Sequence, residues 1–152
     1  MAAFDIEFPE DFLSDLLQTD YDDIAKEALT EAGPILEKAL QISCKNSIDH
    51  DGDSELANSI KAFKPKKSKN GAWILNAGPK GYSKIKKYRR YGKKTEQYRQ
   101  YPVSNALKAI WKEYGIPGRQ VAKPFIQKAC NDARSNVEKI LQETYDRKVG
   151  TK

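Results

Sequence analysis

The stretch 80–101 carries the residue types best suited to binding a polyanion. Lysine and arginine side chains supply charges for phosphates, and tyrosine rings supply faces on which bases stack. Two interpretations stay open: contact with nucleic acid, without sequence-specific recognition, or a solvated segment that becomes ordered against an acidic protein surface. The cations are Lys80, Lys84, Lys86, Lys87, Arg89, Arg90, Lys93 and Lys94, and the tyrosines among them are Tyr82, Tyr88, Tyr91, Tyr98 and Tyr101.

Residues that could perform catalysis or bind a metal ion are few. The single histidine, His50, lies in the polar sequence DHDGDSE, where a solvated turn is the simpler interpretation. That sequence is superficially similar to a calcium loop, but an EF-hand needs glycine at its sixth position and glutamate at its twelfth. Counted from Asp49, those positions hold Ser54 and Ile60. With no P-loop, GxSxG or HExxH motif either, the sequence predicts no enzyme, no cofactor and no metal site.

Both cysteines lie in apolar helical patterns. Neither Cys44 nor Cys130 has a CxxC partner or a nearby histidine cluster. Buried free thiols behave as small hydrophobic groups, and that is the interpretation we favour, with a disulfide or a metal site as the alternatives.

Charge is distributed very unevenly along the 152 residues, whose formal net charge is +6. Residues 1–60 carry a net charge of −12, residues 61–94 carry +13 with no acidic side chain, and residues 95–152 carry +5. Such segregation favours head-to-tail self-association or a polyanionic partner. It does not choose between them.

The N-terminus gives no indication of export or of a membrane partner. Its sequence MAAFDIEFPEDF is acidic and interrupted by Pro9, unlike a signal peptide. No apolar run approaches the roughly 18 to 20 residues that cross a bilayer. We therefore expect synthesis in a cytoplasm and no contact with a membrane.

Apolar periodicity predicts the elements that hold these residues. Residues 10–18 are typical of a short amphipathic helix, and Asp20 is a candidate N-cap for a longer helix with a kink or a break near Gly33-Pro34. The segment 55–63 passes from a helical turn into a strand, and 72–78 is the clearest strand. Because Asn70-Gly71 is a good turn dipeptide, the two segments predict a long β-hairpin.

The remaining chain predicts an arm followed by two helices. Residues 79–101 have little to bury and are expected to form a long loop or ribbon. The helical period returns at Pro102 and ends at Gly115, and a last helix covers 122–147. The expected fold is a single α+β domain over 1–152, with a long kinked N-terminal helix, a small antiparallel sheet with a long hairpin, and a long C-terminal helix.

Three motifs, taken in order, resemble the tail-component family of tailed bacteriophages, typified by gene product ten of a lambdoid phage. They are GDSELANSI, a strand ending in Gly78, and the triplet Glu113-Tyr114-Gly115 followed by Pro124-Phe125. The similarity covers about residues 20–148. Two features depart from the family pattern: Gly52 lies further upstream than expected, and the stretch 79–101 is inserted before the triplet.

The resemblance implies a structural virion protein at the head–tail junction, in a neck or tail-completion role. Its partners would be copies of itself in a ring, connector or head-closure proteins, and tail-terminator or tail-tube proteins. Its location would be the virion, and the host cytoplasm during assembly. In such a ring, the cations of 80–94 together with Tyr88 and Tyr91 would meet a neighbouring subunit or contact DNA non-specifically in the channel. The alternative is a small nucleic-acid-binding protein that uses the same arm.

Overall fold

The computed structural model describes residues 21–47, 53–90 and 98–149. It confirms the predicted α+β class, with a long helix near each end of the described chain and small antiparallel sheets between them. The elements are α1 (Tyr21–Asn46), α2 (Asp53–Ser59), β1 (Ile60–Ala62), β2 (Lys66–Lys67), β3 (Trp73–Ile74), β4 (Ala77–Pro79), β5 (Tyr82–Arg90), β6 (Tyr98–Ser104), α3 (Asn105–Tyr114) and α4 (Phe125–Val149). The predicted helix over 10–18 and the Asp20 cap lie outside the described residues.

Helix α1 continues through Gly33-Pro34, so of the two outcomes expected there the break is excluded. Pro34 lies on the exposed side of the helix, whereas Gly33 is buried. A Cβ at Gly33 would lie 3.5 Å from the Cβ of Ala62, which shows how closely the helix approaches β1. The glycine therefore permits close packing between helix and hairpin.

The core lies mainly between α1 and α4, which run antiparallel. Apolar residues recur every three or four positions on both helices, which places them on one face of each. Ser43, near the end of α1, donates a hydrogen bond of 2.8 Å to the carbonyl of Phe125, at the start of α4. The fully or nearly buried side chains include Leu29, Leu36, Leu40 and Cys44 of α1, and Phe125, Ala129, Ala133 and Val137 of α4.

The predicted hairpin is present, but its second strand is divided. β1 pairs with β4 and β2 pairs with β3, both antiparallel, and Gly71 turns the chain with a φ of 86°. Between the two ladders, residues 63–65 face only residues 75–76, so one residue is bulged. Pro65 falls in this gap and has no N–H to donate, which explains why the single strand predicted over 72–78 is interrupted.

The segment after the hairpin forms an antiparallel ribbon of β5 and β6. Helix α3 begins at Asn105, and the helix start predicted at Pro102 is wrong. Pro102 and Val103 are still in β6, where Pro102 is opposite Lys86. The helix starts later because the Ser104 hydroxyl accepts a hydrogen bond of 3.2 Å from the N–H of Leu107, which makes Ser104 the N-cap.

Candidate functional site

The β5–β6 ribbon combines cationic and aromatic positions on both of its faces. Opposed residues of an antiparallel pair share a face, and successive pairs alternate between faces. Neither strand contains an acidic residue. One pair places two arginine positions directly opposite each other. The opposed pairs are Lys86–Pro102, Lys87–Tyr101, Tyr88–Gln100, Arg89–Arg99 and Arg90–Tyr98.

The base of the ribbon is fixed to the domain. Ser83 and Val103 are buried, whereas Tyr82 is 69% exposed. The N–H of Asn105 donates to the carbonyl of Gly81 at 3.0 Å, and its side-chain amide donates to the carbonyl of Lys80 at 2.8 Å. The start of α3 therefore anchors the base of the ribbon.

The structure locates only part of the predicted contact set in side-chain detail. The Lys80 ammonium lies 4.5 Å from the centre of the Phe63 ring, in a cation–π contact, and Lys84 is exposed. Lys86, Lys87, Tyr88, Arg89 and Arg90 are positions of β5. Tyr91, Lys93 and Lys94 lie outside the described residues.

Glu113 closes the N-terminus of α4 from a neighbouring helix. Its carboxylate accepts hydrogen bonds from the N–H of Ile126 at 2.8 Å and of Gln127 at 3.2 Å. These N–H groups have no acceptor within the helix, and a negative charge suits this end of the helix dipole.

Gly115 and Phe125 complete the same junction. Gly115 ends α3 with a φ of 76°, and a Cβ there would lie 2.7 Å from the carbonyl oxygen of Gln120. Phe125 is 1% exposed and opens α4, so Pro124 stands just before the first helical residue instead of inside the first turn. Tyr114, by contrast, is 72% exposed. Gly78 is buried in β4, away from this junction in sequence.

The carboxylates of α1 form contacts that the sequence analysis missed. Asp22 binds the Lys67 ammonium at 2.6 Å and the Trp73 indole N–H at 3.0 Å, and these contacts lower its pKa. Glu37 accepts from the N–H of Ala62 at 2.8 Å, and that bond is the main reason its pKa is lowered. Both carboxylates therefore attach the hairpin to α1.

Glu31 attaches α4 to the same helix. It accepts from the Thr144 hydroxyl at 2.7 Å and from the Arg147 guanidinium at 2.6 Å, which lowers its pKa, with Thr144 the larger cause. Arg147 also lies 3.3 Å from Glu27. Antiparallel packing of α1 and α4 would have predicted these pairs, because it brings the start of one helix to the end of the other.

Both cysteines are free thiols, but only Cys44 is buried as the interpretation favoured from the sequence expects. Cys44 is buried, and Cys130 is half-buried. Burial, and to a smaller extent the nearby Glu113 carboxylate, raises the pKa of Cys130. Across 21–47, 53–90 and 98–149 no three His, Cys, Asp or Glu side chains are grouped so as to hold a metal ion, and no helix in those ranges is long and apolar enough to cross a membrane.

Within the described residues, the β5–β6 ribbon holds most of the predicted contact positions. No protein-family model, curated protein or solved structure matches the chain.

Proposed function

We propose that this chain is a structural virion-assembly protein of a tailed bacteriophage or prophage, a neck or tail-completion component that acts in a ring at the head–tail junction. The proposal rests first on the order of its motifs. Their residues Glu113, Gly115 and Phe125 meet at one junction, where a carboxylate caps a helix, a glycine permits a tight turn and an aromatic ring fills the core. These are roles of a building unit, and none of them is a step in a reaction.

The observation that carries the proposal is the cationic ribbon on its fixed base. The two strands of the ribbon contain no acidic residue, and their register places the Arg89 and Arg99 positions opposite each other, so an anionic partner would be favoured there. In a ring, each ribbon would meet an acidic surface of the next copy or the DNA in the channel. Charge steering of this kind accelerates association and weakens as salt is added.

Co-expression with the products of the genes that flank its own tests this function. We expect the chain to co-purify with a portal, head-closure or tail-tube protein, and electron microscopy to show closed rings whose yield falls at high salt. A chain that stays monomeric at every concentration and ionic strength, also in the presence of those products, would overturn the proposal.

A second candidate function, nucleic-acid binding by the free chain, is favoured by the cationic positions on both faces of the ribbon. It predicts tight, salt-sensitive binding by the monomer, because each phosphate contact releases counterions. Fluorescence anisotropy with duplex DNA and single-stranded RNA measures it.

The matched variants separate the two functions. One replaces Lys84, Lys86, Lys87, Arg89 and Arg90 with glutamine; the control replaces Lys45, Lys66, Lys69, Arg119 and Lys128, which are exposed elsewhere. Binding by the monomer that is lost only in the ribbon variant would establish the second function. Nucleic-acid binding that is detected only for assembled rings would support the virion-assembly function.

A further inference from the structure

An open groove of about 630 Å³ lies between α1 and the hairpin. Its lining is largely apolar and comes from both elements. Leu29 and Gly33 contribute from α1, and Phe63, Pro65 and Leu75 contribute from the hairpin. Apolar surface of this kind is stabilised when a ligand or a chain segment removes it from water.

Phe63 provides an exposed aromatic surface in the groove. Its side chain remains 40% exposed although it is a large aromatic group. Its ring has the Lys80 ammonium at 4.5 Å, and a Cβ at Gly78 would lie 4.0 Å from it, so the ring is held from one side. The exposed part of the ring could pack against a further apolar group.

The rim of the groove is positively charged. Lys26, Lys38 and Lys64 line it and are exposed. One carboxylate, Glu37, also lines the groove, but it already accepts from the N–H of Ala62 and the Lys61 ammonium. An occupant should therefore combine apolar side chains with several negative charges.

The chain itself contains a segment of that composition, residues 1–20. It has no lysine or arginine. Its acidic residues are Asp5, Glu7, Glu10, Asp11, Asp15 and Asp20, and its large apolar residues are Phe4, Ile6, Phe8, Phe12, Leu13, Leu16 and Leu17. The β5–β6 ribbon offers charge to this segment as well, but it has few aliphatic positions to cover the apolar side chains.

Residues 1–20 directly precede α1 and are long enough to reach the groove of their own chain. The lining residues of α1 lie between Lys26 and Gln41, so the far end is about 30 Å from Tyr21 along the helix. Even with 10–18 helical, as the sequence predicts, residues 1–20 would span up to about 50 Å. A tethered segment has an effective concentration near the millimolar range, which favours its own chain over a second copy.

We propose that the groove between α1 and the hairpin is the docking site for the acidic, apolar segment 1–20 of the same chain. The apolar side chains cover Phe63 and its neighbours, and the carboxylates lie against the three rim lysines. This inference goes beyond the virion role and does not depend on it.

Photo-crosslinking in the full chain tests the docking. p-Benzoylphenylalanine is placed at Phe63, and in matched proteins at Ile42, which is exposed on another part of α1, and at Tyr101 on the ribbon. We expect the Phe63 probe to link to residues 4–17 within one chain, and the other two probes not to link there. Mixing isotopically light and heavy protein identifies whether each link joins one chain or two.

Two results would overturn the inference: no link from the Phe63 probe to 1–20, or links that come from Tyr101 or from a second copy.

A second measurement, hydrogen exchange, does not need the crosslinking probe. Replacing Lys26, Lys38 and Lys64 with glutamate should accelerate hydrogen exchange in residues 4–17 about tenfold, from the loss of three exposed ion pairs. The control with glutamate at Lys45, Lys66 and Lys69 should leave that exchange unchanged, and equal effects of the two variants would contradict the proposed site.

Discussion

At Gly115 the backbone has a φ of 76° and a ψ of −179°, a conformation that is essentially restricted to glycine. A Cβ there would also lie 2.7 Å from one backbone atom of the following loop and 2.8 Å from another. We predict that Gly115→Ala lowers the free energy of unfolding by about 3 kcal/mol, from backbone strain and steric overlap together. Denaturant unfolding followed by circular dichroism measures it.

Gly118 provides the matched control, because it has a φ of 70° but nothing within 4 Å of an added Cβ. Gly118→Ala should therefore cost only about 1 kcal/mol, from its left-handed backbone alone. Equal losses in the two variants would mean that the close approach of the loop to Gly115 has no energetic importance.

We also predict that the Glu113 carboxylate stabilises the fold. Glu113 is 8% exposed and accepts from two N–H groups at the start of α4. Glu113→Ala leaves these donors without their acceptor and should cost about 2 kcal/mol. Glu113→Gln keeps one acceptor oxygen and should cost less. If the alanine and glutamine variants are equally stable, the cap is not what makes Glu113 important.

The structural role of Gly115 could be predicted from the sequence, whereas that of Glu113 could not. Gly115 follows directly on the last turn of an apolar helical pattern, so its role as a helix terminator could be predicted. The partners of Glu113 lie 13 and 14 positions away, across a loop whose path no local pattern determines. Its capping role therefore became visible only in the folded chain.

At the scale of elements, the α1–α4 pair holds charged groups that respond to pH. The pKa of Glu31 is lowered from its ordinary value of 4.5 by its bonds to Thr144 and Arg147. A group whose pKa is lower in the folded chain stabilises the fold above the unfolded pKa, and that contribution is lost as pH falls through the folded pKa. We predict that stability falls below about pH 4.5 and that Glu31→Gln weakens this dependence.

Urea unfolding at pH 7 and at pH 3.5 measures the effect for both proteins. Glu138→Gln is the control, because Glu138 pairs only with Arg134 on the same helix in the described contacts. The prediction fails if Glu31→Gln is destabilised by the same amount as the native chain on going from pH 7 to pH 3.5.

Element boundaries were predictable where one local signal dominated. The two long helices and the hairpin follow from apolar periodicity and from Asn70-Gly71. The error at Pro102 arose because a strand and a helix share the apolar residues around Val103, and only the Ser104 cap decides between them. The divided strand was missed because a one-residue bulge depends on pairing across the hairpin, which the single strand does not record.

At the scale of the whole molecule, folding neutralises part of the charge asymmetry of the sequence. In the described chain, Asp22, Glu27, Glu31 and Glu37 all pair with basic groups of the hairpin or of α4. Neither strand of the ribbon contributes an acidic residue, and one opposed pair joins the Arg89 and Arg99 positions. We therefore expect the ribbon to contribute most to association.

Native mass spectrometry of the chain purified with its flanking-gene partners tests the central proposal most directly. It counts the copies in each complex, for the native chain and for the glutamine variant of the ribbon. For the native protein, we predict a single ring complex that contains a fixed number of copies of the chain. The ribbon variant should lose this complex, and the matched surface control should retain it. A native chain that is seen only as a single copy under all these conditions would contradict the proposal.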